Sequence, residues 1–212
     1  MKSYLSLLII ILFMAHHRLV AQDNTTVPAI RESQFTVVNR EVAYADGTAG
    51  LNGQPGAGIL WLNGSNFRNG TLALDIKGKN APGRSFVGLA FHGQDNDTYD
   101  VVYFRPFNFT NRERESHAVQ YISLPENDWP TLRENFPGKY ENTIRPVPDP
   151  VDDWFHVRIV IEHPNVKVYV NGFVQPTLEV DQLSDSKQGK VGFWVGNNSE
   201  GWFKNLKITN GK

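Results

Sequence analysis

From Phe35 to Ile208, apolar side chains recur in short runs at every second position, and turn-forming residues separate the runs. The clearest run is Gly70-Thr-Leu-Ala-Leu-Asp-Ile-Lys77, where Leu72, Leu74 and Ile76 share one face. A period of two marks a strand with one buried side. The same pattern predicts strands over residues 35–38, 41–45, 59–62, 85–92, 98–105 and 117–122. It resumes in the last third at 154–162, 166–170, 189–195 and 201–208. Asn63-Gly64 and Asn171-Gly172 are tight-turn pairs. Pro106 stops the strand before it, because proline cannot donate to a ladder. The glycines of 46–58 permit unusual backbone angles, so that stretch is expected to be a loop. A single short helix is predicted at 129–135, with Pro130 in its first turn. Pro146, Pro148 and Pro150 then predict an extended crossing. The class is all-β.

Residues 34–212 are expected to form one β-sandwich, preceded by a polar, loose arm over 22–33. The stretch 107–150 breaks the texture, being proline-rich, aromatic and charged. A connection of that size in a compact β domain is usually functional.

The first 21 residues look like an export signal. Lys2 supplies the positive start, Leu5 to Met14 an apolar run broken only by Ser6, and Ala21 a small residue before a cleavage point. The run is too short for a membrane span, which needs about 20 residues. No cysteine follows it, so no lipid anchor is expected and no membrane insertion after cleavage. The remaining ~190 residues suit one domain, since sandwiches run to about 200–250 residues as one unit. The chain has no cysteine, which fits an exported bacterial protein, secreted or periplasmic, better than a small stapled domain. The formal net charge is −1, which gives no reason to expect nucleic acid as a partner.

Phe86-Val-Gly-Leu-Ala-Phe-His92 and Tyr99-Asp-Val-Val-Tyr-Phe-Arg105 pair as a central hairpin, and Gly189–Val195 and Gly201–Ile208 close the chain. This order resembles the concanavalin A-like lectin/glucanase superfamily, including its laminin-G-like and 3-keto-disaccharide-hydrolase-like branches. The resemblance implies a jelly-roll sandwich of two antiparallel sheets. It also implies that the concave face of one sheet handles carbohydrate.

Five residues are the candidates for holding a sugar: Tyr103, Arg105, His117, Tyr121 and Trp129. Arg105 ends a strand and shares the face of Tyr103 by alternation; its planar fork suits two hydroxyls or a uronate carboxylate. Simple alternation puts His117 with Tyr121, and Gln120 on the opposite face. The opposite register would give the polar work to Gln120. Trp129 stands in the irregular insert, where an aromatic ring can stack on a sugar face. Trp61, Trp154 and Trp194 are expected in the core, and Trp202 between core and surface.

Catalytic signals are sparse. The laminarinase pattern of two strand-borne glutamates is absent. Glu115, Glu134 and His117 are the candidates if the chain cleaves sugar. Asp95 and Asp97 fall where a hairpin turn is expected and are the only calcium candidates. No cofactor is otherwise expected. The histidines lack short metal-ligand spacing, and there is no Gly-X-Ser-X-Gly elbow. The leading expectation is a domain that binds an oligo- or polysaccharide. The alternatives are a glycoside hydrolase or lyase, and a non-catalytic protein-interaction module.

Overall fold

The computed structural model describes residues 24–27 and 29–211. The export segment expected at 1–21 lies outside the described residues. Among the described residues fifteen strands run in chain order: β1 Asn24–Val27, β2 Phe35–Val38, β3 Val42–Ala45, β4 Thr48–Leu51, β5 Gly58–Leu62, β6 Gly70–Lys77, β7 Val87–Gly93 and β8 Tyr99–Phe104. They continue with β9 Val119–Leu124, β10 Glu141–Asn142, β11 Phe155–Glu162, β12 Asn165–Val170, β13 Leu178–Asp181, β14 Lys190–Val195 and β15 Gly201–Asn210. One α-helix, α1, spans Trp129–Asn135.

The strands form two antiparallel sheets. One has the order β13-β12-β11-β6-β15-β4-β3, with β1 also on β15; the other runs β10-β9-β8-β7-β14-β5-β2. The long β15 pairs with β4 through residues 201–203 and with β1 through residues 206–209. Within the segment expected as a loose arm, Asn24–Val27 is therefore a strand, held by backbone pairing that its polar sequence does not announce. The glycine-rich stretch likewise contains β4. The short strands β10 and β13 fall where no strand is predicted.

The two sheets differ in burial, and that difference places the site. In the first, β6, β11 and β12 alternate: Leu72, Leu74 and Ile76, then Val157, Ile159 and Ile161, face the core. Their other face meets solvent, as antiparallel sheets allow. In the second sheet β7 and β8 are buried at every position. Phe104 packs edge-on against Phe155, and Phe193 stacks on Phe203 with centroids 4.8 Å apart, so these rings bridge the sheets. The residues between them in sequence must point the other way, onto a second covered face. Residues 105–150 provide part of that cover. A buried aliphatic such as Leu74 is worth about 2–5 kcal/mol against alanine.

Asn171 and Gly172 have φ of 48° and 71°, the paired positive values of a two-residue hairpin turn. The helix α1 begins as its sequence requires: Asp128 accepts from the Trp129 amide at 2.6 Å, and Pro130 sits in the first turn. Buried Leu132 anchors it. Among the described residues no helix is long and apolar enough to cross a membrane.

Candidate functional site

Cross-strand register builds the floor of the site. Glu141 of β10 pairs with Gln120 of β9, which pairs with Tyr103 of β8. Tyr103 pairs with Gly88 of β7, Gly88 with Trp194 of β14, and Trp194 with Ile59 of β5. These residues form one row across six strands, all on the face away from the other sheet. Gly88 leaves a gap between two large neighbours. Tyr103 and Trp194 lean over it, with ring centroids 5.1 Å apart. A Cβ on Gly88 would lie 2.7 Å from that of Tyr103 and 2.2 Å from the Val102 carbonyl oxygen.

Arg105 caps this row. It is 4% exposed. Nη2 donates to the Tyr103 hydroxyl at 2.6 Å and to Gln120 Oε1 at 3.2 Å, and Nη1 donates to the His117 carbonyl at 2.8 Å. The guanidinium also lies 4.7 Å from the Tyr103 ring centroid. Burial pulls the Arg105 pKa down and pushes the Tyr103 hydroxyl up to about 12, with the Arg105 charge opposing the latter shift. Tyr103 thus stays a neutral phenol.

Beside it stands a charged cluster. Arg133 grips the buried Glu141 carboxylate through Nε at 3.1 and 3.0 Å and through Nη2 at 2.7 Å. His117 Nδ1 lies 2.8 Å from Glu141 Oε1, yet off the line that a hydrogen bond requires. Distance alone does not make a hydrogen bond, so the two groups are in contact without one. Trp129 and Arg133 are four residues apart on α1, so they share a face; the guanidinium lies 4.9 Å from the Trp129 ring. Trp129 is 43% exposed.

Three adjoining cavities follow these residues. A 190 Å³ hollow lies over Tyr103, Trp194 and Trp129. Phe86 and Trp129 join it to one of 490 Å³ lined by Arg105, Asn108, Arg114 and His117. His117 and Arg133 join that to a 330 Å³ hollow at Glu141. A larger depression of 580 Å³ sits elsewhere, near Thr25, Ser33 and Asn63. Among the described residues it has no titratable side chain and no exposed ring, so it offers less chemistry than the groove.

Tyr103, Arg105, His117 and Trp129 are brought together, as their residue types suggest. Tyr121 is not. It faces the core, where its hydroxyl donates to Asp100 Oδ1 at 2.9 Å and accepts from the Leu183 amide at 3.0 Å. The cause is local. Glu115–His117 is a 3-10 turn, and β9 begins only at Val119. The alternation cannot be counted from His117, and Gln120 takes the concave face instead. Glu115 and Glu134 are exposed and line none of the three hollows. The carboxylates that do are Glu113, Asp128 and Glu141; of these Glu141 is the buried one that meets His117, and residue spacing gave no sign of it. Asp95 spends its carboxylate on the Asp97 and Thr98 amides of a turn, which also lower its pKa. Among the described residues no group of three or more His, Cys, Asp or Glu could hold a metal. Trp61 and Trp194 are buried in the hydrophobic core, as expected, on the concave side of their sheet. Trp154 is half-buried under Lys204, 4.1 Å from its ring.

A family model described as a 3-keto-alpha-glucoside-1,2-lyase-like domain matches residues 23–209. The chain belongs to this family. Its fold is the concanavalin A-like jelly roll of carbohydrate-binding and glycoside hydrolase-like proteins. Among solved structures it is similar to the carbohydrate binding module CBM66 from Bacillus subtilis, with TM-score 0.60 and 16% identity over 82% of this chain and 95% of that one. It is also similar to a beta-glucanase of Bacillus licheniformis, with TM-score 0.60 and 11% identity over 91% and 100%. A third is the exoplasmic/lumenal domain of VIP36 in a form bound to calcium and Man3GlcNAc, with TM-score 0.61 and 10% identity over 88% of each chain. Identities this low speak for the fold alone. None of the curated proteins compared with this chain matches it.

Proposed function

We propose that this family member binds a carbohydrate along the concave groove between Trp194 and Glu141. One observation carries the proposal. A hollow over the buried rings of Tyr103 and Trp194 adjoins, through Phe86 and the exposed Trp129, a hollow lined by the donors Arg105, Arg133 and His117. Sugars present an apolar ring face and a fringe of hydroxyls, and the groove offers one partner for each. Export, read from residues 1–21, would place the domain where polysaccharides are met. Titration calorimetry against an oligosaccharide panel tests the proposal. Binding that Trp129→Ala weakens supports it; no binding to any member sinks it.

A second reading is favoured by the His117–Glu141 contact beside an open groove. With a 3-keto-glycoside, His117 would take the proton next to the ketone. That electron pair would form the C1–C2 double bond, the glycosidic C1–O bond would break, and water would protonate the leaving oxygen. Glu141 would hold the imidazole in place and balance its charge. Release of the leaving alcohol by the native protein, and none by His117→Gln, would support this reading. Binding without turnover would leave only the first.

A further inference from the structure

We infer that the sugar bound in this groove is acidic, carrying a carboxylate or a sulfate that sits between Arg105 and Arg114. The inference rests on the groove being a carbohydrate site. It begins with unmatched charge. The 490 Å³ hollow is lined by Arg105, Arg114 and Arg133, with Glu113 as its one carboxylate. Arg133 is already matched by Glu141. Arg105 is not. Its three bonds go to a carbonyl, a phenol and an amide oxygen, all neutral, and no carboxylate lies within ion-pair reach among the described residues. Arg114 is exposed and also has no such partner there. A guanidinium out of water is costly unless an anion meets it. A guanidinium has five donors, and the three bonds formed by Arg105 leave donors over.

A second observation specifies a sugar as carrier. Asn108 is 3% exposed and lines the same hollow. Its Nδ2 donates to the His117 carbonyl at 3.3 Å, while its Oδ1 is buried without a partner. An orphan acceptor repels the oxygens of a bare anion and calls for a donor. A sugar hydroxyl next to an acid group meets both needs at once. Trp129, on the rim of that hollow, supplies the ring face for the same residue. Carboxylate and sulfate share this chemistry, and only experiment separates them.

The test uses the full chain and matched ligands: an oligogalacturonate, its methyl ester, a sulfated oligosaccharide, a neutral cello-oligosaccharide and inorganic sulfate. A wider array with acidic glycans beside their neutral counterparts accompanies them. Binding is expected for acidic members, to weaken as salt rises, and to fall about tenfold in Arg114→Ala, which is about 1.4 kcal/mol. Arg105→Gln is the second variant. Because Arg105 also braces Tyr103 and Gln120, the exposed Arg114 keeps the test sound if that variant folds poorly. Equal binding of the ester and the acid, with loss in Trp129→Ala, overturns the acidic-sugar inference and leaves the carbohydrate site standing. Inorganic sulfate binding as tightly as any glycan overturns the need for a sugar. Silence across the whole array removes the carbohydrate reading and this inference with it.

Discussion

Tyr103 and Trp194 meet over Gly88, their ring centroids 5.1 Å apart, although each belongs to a different neighbour of the strand that carries the glycine. The missing side chain is what lets the rings lie over the sheet. Gly88→Ala would put a methyl 2.2 Å from the Val102 carbonyl oxygen, so backbone must move. We expect a loss of about 1–3 kcal/mol in denaturant unfolding, with weaker ligand binding. An unchanged midpoint would mean that the sheet yields to the added methyl and that the floor is loosely packed.

Glu141 holds Arg133 by two nitrogens and stands beside His117. Its removal should leave the Arg133 guanidinium without its counter-charge and His117 without its neighbour. Glu141→Ala is expected to cost about 1–3 kcal/mol, below the range for breaking a fully buried pair, because Arg133 is partly exposed. Glu141→Gln should cost less, because it keeps an acceptor. Both should weaken ligand binding. Chemical denaturation alongside calorimetry separates the two effects.

Tyr121→Phe tests the assignment of that hydroxyl to the core. Removing it leaves Asp100 Oδ1 and the Leu183 amide without this partner. The cost should be about 1–3 kcal/mol in stability. Affinity for glycans should not change. A variant of native stability that loses binding would return Tyr121 to the groove.

Trp129→Ala should do the reverse. The ring is largely exposed and covers Arg133 instead of core. Stability should change by less than about 1 kcal/mol, while affinity falls by about 1–3 kcal/mol, the scale of one stacked ring. Equal losses in both would mark it as a packing residue.

The buried His92 sets a pH dependence. Its Nδ1 accepts from Gln182 Nε2, which also donates to Asp100, so its proton sits on Nε2 and goes to the Arg68 carbonyl at 2.7 Å. Burial lowers the His92 pKa and outweighs the pull of the Arg68 carbonyl and the Asp100 charge; His163 nearby lowers it further. The unfolded chain therefore binds a proton here more readily than the folded one. Stability from this group is complete above the ordinary value of 6.5 and is lost as pH falls below it through the lowered folded value. Denaturation midpoints should drop as pH falls below about 6.5. His92→Gln should flatten that slope.

Much of the fold was legible along the chain. The run from Gly70 to Lys77 gave β6 its limits and its core face, and Trp129–Asn135 is a helix within the bounds its cap and proline implied. β10 was not legible, because two residues carry no periodicity; it exists through its pairing with Val119 and Gln120. Four of the five proposed sugar contacts converge, since arginine, tyrosine, histidine and tryptophan in an irregular stretch are informative by type. Tyr121 failed because the 3-10 turn at Glu115–His117 resets the phase of the strand that follows.

Sequence alone determined the longer strands, most turns, the all-β class and the family resemblance, because side-chain alternation and turn chemistry are properties of neighbours in the chain. Tertiary structure alone decided that Glu141, Gln120, Tyr103 and Trp194 share one row, and that Glu141 rather than Glu115 or Glu134 meets His117. Those contacts depend on the register between strands far apart in sequence. Backbone pairing and the packing of both sheet faces set that register together, and no short window of residues contains it.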